Sequence, residues 1–140
     1  MTLAALTPRW AAWGSLHAGM AAALLAWAAA ATALEAAGAP RVWLLLVLAP
    51  VLEEAAFRAG LHEALLARQW SPATANGLTA LCFAFLHVAV QGSWQGALVA
   101  GPALLIGAAY NRWRRVRWCV LMHAAMNAAW LAAMLMIRAA

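Results

Sequence analysis

The chain has 140 residues, of which 68% are hydrophobic and 9% charged, against about 25% charged in a soluble domain, so it reads as a single integral membrane domain. All nine basic residues behind its formal net charge of +5 are Arg, and there is neither Lys nor Asp, which excludes a Ser-Lys dyad, a Schiff-base lysine and an aspartyl dyad. The arginines stand at the ends of apolar runs, as in loops that face anionic lipid, so the lipid bilayer is the expected partner and nucleic acid is not.

The pattern predicts an all-α integral membrane protein, a bundle of about five transmembrane helices around a mid-membrane polar cavity, forming one domain over 1–140. The first span, 10–37, is rich in Ala and Leu between Thr7-Pro8-Arg9 and Gly38-Ala39-Pro40. Its length exceeds the 7 to 15 residues of a signal-peptide core, which favours a retained helix over a cleaved one. His17 within it reads as a packed or interfacial histidine. The second span, 41–68, holds Pro50, whose missing N–H predicts a kink or restart just before Glu53. Ser71-Pro72 is an N-cap and first-turn signal for the third span, 72–90. Gln91-Gly92-Ser93 makes a turn, the fourth span covers 94–110 with Pro102 inside it, and the fifth covers 116–137.

Arg9, Arg68, Arg112, Arg114, Arg115 and Arg117 fall at one set of span ends, Arg41 and Arg138 at the other. The positive-inside rule then places the amino terminus in the cytoplasm and the carboxyl terminus outside. Trp10, Trp13, Trp70, Trp113 and Trp118 collect at the inner ends, Trp43 and Trp94 at the outer ones, as an aromatic belt requires. The basic, Trp-bearing run from Asn111 to Trp118 reads as an interfacial loop that sets this topology.

Polar residues inside the spans are few. Glu53, Glu54 and Arg58 lie in the second, where an ionisable side chain is expensive and marks function by default. On a helix Glu54 and Arg58 share a face, which neutralises Glu54 locally and leaves Glu53 available. The third span sets Phe83 and His87 four apart, and the fifth does the same with His123 and Asn127. A structural reading, buried polar groups that fix helix packing, competes with a catalytic one. Elimination narrows the catalytic options. His62-Glu63 lacks the second histidine of an H-E-x-x-H zinc site, and the only serines, Ser15, Ser71 and Ser93, do not supply an intramembrane Ser-His pair. Cys82 and Cys119 lie in apolar runs without metal or disulfide spacing. What remains is carboxylate and histidine acting on water, with His and Asn donors for an oxyanion.

Glu53-Glu54-x-x-x-Arg58, Phe83-x-x-x-His87 and His123-x-x-x-Asn127, in this order and in successive spans, resemble the three motifs of the CPBP family, the CAAX-protease and bacteriocin-processing intramembrane proteases. The resemblance covers 41–130. The Ser-Pro-x-x-x-Asn-Gly opening of the third span and Gly-Pro-Ala-Leu-Leu-Ile-Gly in the fourth are similar to the small subgroup paired with bacterial JDVT-CTERM sorting tails. The resemblance implies a peptidase in which Glu53 and His87 activate water, His123 and Asn127 bind the oxyanion, and Glu54, Arg58 and Phe83 support the site. It implies a membrane-anchored protein or sorting-tail substrate, the inner membrane of a bacterium, and no cofactor. The chain lacks the flanking spans of larger members, which argues against a prenylated substrate of the eukaryotic kind.

Four alternatives stay open at the level of sequence, one of them a proton or ion carrier, which would predict uptake into proteoliposomes without any protein substrate. A zinc-dependent version would use Glu53, His87 and His123 as ligands. Cys119 and His123, one turn apart, could form a thiol dyad. A non-catalytic immunity or assembly scaffold would keep the same polar residues for packing alone. At about 1.5 Å per residue, His87 lies about 5 Å from the outer end of its span, and Glu53, His123 and Asn127 lie near mid-membrane, which favours a site reached from the non-cytoplasmic side.

Overall fold

The computed structural model describes residues 41–139, and these form helices and short turns with no strand among them. The expected span 10–37, with Arg9, Trp10, Trp13 and His17, lies outside the described residues. Helix α1 occupies 41–67 and α2 Pro72–Gln91; a 3-10 segment, Trp94–Val99, leads into α3, Ala100–Trp113, and α4 is Val116–Ala139.

Pro50 does not break α1. The helix passes through a π segment at Leu44–Leu48, returns to α over Ala49–Glu54, takes a second π segment at Ala55–His62 and ends as α over Glu63–Ala67. The restart expected before Glu53 takes the form of a change of hydrogen-bond register: the π segment ends at Leu48 and a new α segment begins at Ala49, with Pro50 in its first turn, where a residue without an N–H is tolerated.

The turn into α2 uses Gln69 at φ 65°, and Ser71 then caps α2 by accepting from the Thr74 N–H at 3.1 Å. At the other end Gly92 closes α2 in the left-handed conformation, φ 61°, which costs a residue without Cβ little. The next segment was expected to be regular helix from Trp94; it is 3-10 up to Val99, and the α-helix starts only at Ala100. Pro102 thereby falls in a first turn, where its absent N–H has no intrahelical partner to lose.

Two small cores join the helices. Phe57 of α1 meets Phe83 of α2 edge to face, centroids 5.0 Å apart, within a cluster that includes Ala56, Ala80 and Ala103. Ile106, Tyr110 and Cys119 form the second, between α3 and α4. The helix α4 buries only Cys119 and His123 along its length, so the rest of it is presented to its surroundings. Both α2 and α4 are long and apolar enough to cross a membrane, with mean hydropathies of 1.6 and 1.7. In hydrocarbon such outward apolar faces are the stable arrangement, and the polar residues turn inward.

Candidate active site

The side chains of Glu53 and Glu54 leave α1 in different directions and are both buried, at 6% and 0% exposure. Glu54 pairs with Arg58 one turn on, Oε2 to Nε at 2.9 Å, as the i,i+4 spacing implied. Its second oxygen accepts from His123 Nδ1 of α4 at 2.8 Å, a role that the sequence spacing did not show. Arg58 is also fully buried and donates from Nη2 to the Ala103 carbonyl of α3 at 3.1 Å. One carboxylate thus ties α1 to α4, and its arginine ties α1 to α3.

The other nitrogen of His123, Nε2, stands 3.6 Å from Glu53 Oε2, an oxygen that is buried with no hydrogen-bond partner among the described residues. With Nδ1 donating to the Glu54 carboxylate, Nε2 is the atom turned toward Glu53. The imidazole is held between two carboxylates rather than standing apart as a free donor.

His87 is oriented by its own helix. Its Nδ1 lies 3.0 Å from the Phe83 carbonyl, and since a carbonyl only accepts, Nδ1 carries the hydrogen and the Nε2 lone pair is left available. The Phe83 ring stacks at a tilt on His87, centroids 4.4 Å apart, and touches His123 edge-on at 5.9 Å, so one buried phenylalanine spaces the two histidines. From behind, Gly96 of the 3-10 segment lies on the backbone at His87: a Cβ there would fall 2.8 Å from both the His87 carbonyl carbon and the Val88 nitrogen.

Glu53 and His87 face one cavity of about 180 Å³, whose other walls are Leu44, Leu45, Ala49, Leu86, Val90 and Gln91. That is room for several waters, or for an apolar side chain beside fewer of them. The walls come from the start of α1 and the end of α2, so the cavity sits at the end of the bundle opposite Arg68, Arg112, Arg114 and Arg115.

Asn127 is half-buried on α4, and its Nδ2 donates to the Leu45 carbonyl at 2.8 Å. One of its two amide hydrogens is thereby given to the backbone of Leu45, a residue of the cavity wall, and the other remains to be donated. The structure brings Glu53, Glu54, Arg58, Phe83, His87 and His123 into one connected group, and Asn127 bonds the backbone of Leu45 in the cavity wall. Cys119 is fully buried in the other core, its thiol directed to the Ile106 and Arg115 carbonyls at 3.9 and 3.8 Å, which does not form the Cys-His dyad considered above. Nor do Glu53, His87 and His123 gather as a ligand set: among the described residues no three His, Cys, Asp or Glu side chains come together as a metal ion requires.

The sequence reading missed the cavity walls Leu44, Leu45, Leu86, Val90 and Gln91, since uniform apolar runs do not show which face turns inward. It also missed a second polar cluster at the arginine-rich end. There Tyr110 donates to Glu63 Oε2 at 2.7 Å, Arg114 pairs with the same carboxylate, and buried His62 bonds Asn111 at 2.9 Å. His62-Glu63 is the pair rejected as a zinc motif; it serves instead to fasten α1 to α3.

No curated protein and no solved structure matches the chain. The model of the family described as Type II CAAX prenyl endopeptidase Rce1-like matches residues 35–129, a stretch that contains Glu53, His87, His123 and Asn127. The chain belongs to this family of helical intramembrane peptidases.

Proposed function

We propose that the protein cleaves a membrane-anchored protein substrate near its apolar segment, in the manner of a sorting-tail protease of a bacterial inner membrane, using water activated by Glu53 and His87. The observation that carries this reading is the shared cavity of Glu53 and His87, with the His87 lone pair free on Nε2. A water there gives one proton to the Glu53 carboxylate as its oxygen attacks the scissile carbonyl, while His87 accepts the second water hydrogen as a hydrogen bond and orients the attack. The tetrahedral oxyanion takes a hydrogen bond from His123 Nε2 in its protonated form, an imidazolium stabilised by Glu54 and relayed to Arg58. Collapse breaks the C–N bond, and the proton held by Glu53 passes to the leaving amine.

Charge balance supports this assignment. Arg58 and Glu54 offset each other, so one proton shared between Glu53 and His123 leaves the buried group neutral overall, and a neutral group is the least costly one to hold in a bilayer. Asn127 Nδ2 gives one of its two hydrogens to the Leu45 carbonyl, and the second stays available for the family-derived role of a further oxyanion donor.

The test is co-expression of single-span reporter proteins with the wild type and with Glu53→Gln, followed by intact-mass measurement of the reporters. The expected outcome is a cut near the apolar segment with the wild type, unchanged by metal chelators, and none with Glu53→Gln at equal membrane abundance. Cleavage by Glu53→Gln at the wild-type rate overturns the reading.

A further inference from the structure

Among the cavity's described walls only Glu53, His87 and Gln91 carry polar side chains; the others are Leu, Ala and Val. Glu53 and His87 serve the attacking water. Gln91 has no part in that chemistry: it is exposed, and its amide makes no hydrogen bond among the described residues. It is the last residue of α2, one turn beyond His87 on the same face and next to Gly92, where the chain leaves the helix at φ 61°. A carboxamide without a partner therefore stands at the rim of the cavity, beside the histidine that orients the water.

What this carboxamide meets follows from the substrate's own backbone. A membrane-spanning helix satisfies its N–H and C=O groups internally, and a carbonyl held in that ladder must be released before water attacks it. The residues on each side of the scissile bond then carry backbone groups without intrahelical partners, each costing several kcal/mol in hydrocarbon. Aliphatic walls offer them nothing. A glutamine matches one extended residue twice over, Oε1 accepting from its N–H and Nε2 donating to its C=O, which point the same way from a strand. Being neutral, it does so with no charge to desolvate. Four residues of α-helix rise about 6 Å, and an extended strand advances about 3.3 Å per residue, so the substrate residue opposite Gln91 stands about two positions from the one opposite His87.

We propose that Gln91 is a substrate-binding residue whose carboxamide pairs with the backbone N–H and C=O of one extended substrate residue, about two positions from the scissile bond. The ligand is thus an apolar peptide segment opened into a strand at the cavity. This rests on the reading of the cavity as the peptidase site. The pairing is made in the ground state and the transition state alike, so its loss raises KM and leaves kcat nearly unchanged. A glutamine that only meets water at a helix end moves neither.

The experiment uses the purified full-length chain in detergent and a synthetic peptide that copies the apolar segment of the single-span reporter with its flanks. A series of such peptides replaces one peptide bond at a time by an ester, which removes a single N–H; the ester at the scissile bond is set aside. Gln91→Leu is expected to raise KM about tenfold with kcat within about twofold. One ester, about two residues from the cut, is expected to raise KM about fivefold with the wild type and to add nothing in Gln91→Leu, the non-additivity that marks the two groups as partners. An unchanged KM in Gln91→Leu, a loss in kcat instead, or ester effects that are additive at every position overturns the proposal. If Gln91→Leu fails to fold, Gln91→Ser, too short to reach the strand, takes its place in the same cycle. The peptides are also titrated against Glu53→Gln, where Kd is read without turnover; Gln91→Leu added to it is expected to weaken binding about tenfold and to cancel the same ester, and a Glu53→Gln chain that does not bind the parent peptide overturns the proposal. The two readings fail separately. A chain that cuts with Gln91→Leu at the wild-type KM loses the glutamine contact and keeps the peptidase mechanism, and one that binds in the expected pattern but cuts nothing loses the mechanism and keeps the contact.

Discussion

At the residue scale, the site is a set of polar atoms each of which has been given a direction. Phe83 supplies a ring that spaces His87 and His123, and a carbonyl that decides the His87 tautomer. Glu54 accepts from His123 and pairs with Arg58, and with both charges buried, removal of either leaves the other uncompensated. Arg58→Met is accordingly expected to destabilise the fold by about 3 kcal/mol or more, read as a drop in the thermal transition of the detergent-solubilised protein, whereas a change under about 0.5 kcal/mol would show that the pair is not holding the bundle. Cys119 is the contrasting case. Its thiol is enclosed against two carbonyls, so Cys119→Ala should leave reporter cleavage largely intact, and a thiol-blocking reagent that stops cleavage only when Cys119 is present would restore the thiol mechanism. The i,i+4 pair of Glu54 and Arg58 was legible from spacing alone. The bond of Glu54 to His123, 69 residues away, was not, because spacing within one helix carries no information about which face of another helix it meets.

At the element scale, departures from ideal helix do the positioning. The run Leu-Leu-Leu-Val-Leu at 44–48 has no polar residue to mark a face, so its periodicity is silent and only Pro50 announced that the hydrogen-bond ladder must change nearby. A kink or restart was the natural expectation; the restart takes the form of a π turn followed by a new α segment at Ala49, and Asn127 of α4 donates to the Leu45 carbonyl within that π turn. The segment after Gly92 makes the same point. Its apolar composition predicted helix from Trp94, yet the 3-10 turn is what lets Gly96 rest on the backbone at His87. A methyl group there would stand 2.8 Å from backbone atoms that have no freedom to move aside, so Gly96→Ala should push the segment off α2 and disturb His87. The expected result is a cleavage rate lowered at least about tenfold, since small displacements near a catalytic group are costly, with the helix content by circular dichroism unchanged. Wild-type activity in Gly96→Ala would mean that the 3-10 segment does not brace the histidine.

At the scale of the whole molecule, the polar residues fall into two groups at different depths, and the arginines give the axis between them a sign. From Leu44, in the cavity wall, to Arg68, just past the end of α1, is 24 residues, about 36 Å if helical throughout, comparable to the hydrocarbon thickness of about 30 Å. The helix α2 covers the same span in reverse, its 20 residues running from Pro72 at the arginine end to Gln91 in the cavity wall. Cavity and arginines are therefore at opposite ends of the bundle. The arginine-rich end is held together by Tyr110, Glu63 and Arg114, whose half-exposed ion pair contributes no more than about 1 kcal/mol, so its charge is better explained by the leaflet that it faces. If the positive-inside rule holds for Arg68, Arg112, Arg114, Arg115 and Arg117, that end faces the cytoplasm and the cavity opens toward the non-cytoplasmic side, where a protease acting on exported proteins would meet its substrate; this orientation is a proposal that labelling tests. In intact cells carrying the chain in a Cys82→Ala background, Gln91→Cys, exposed at the cavity wall, is expected to react with a membrane-impermeant maleimide, and Arg115→Cys, exposed at the other end, only after the inner membrane is made permeable. The reverse pattern would turn the molecule over and give the site to substrates presented from the cytoplasm.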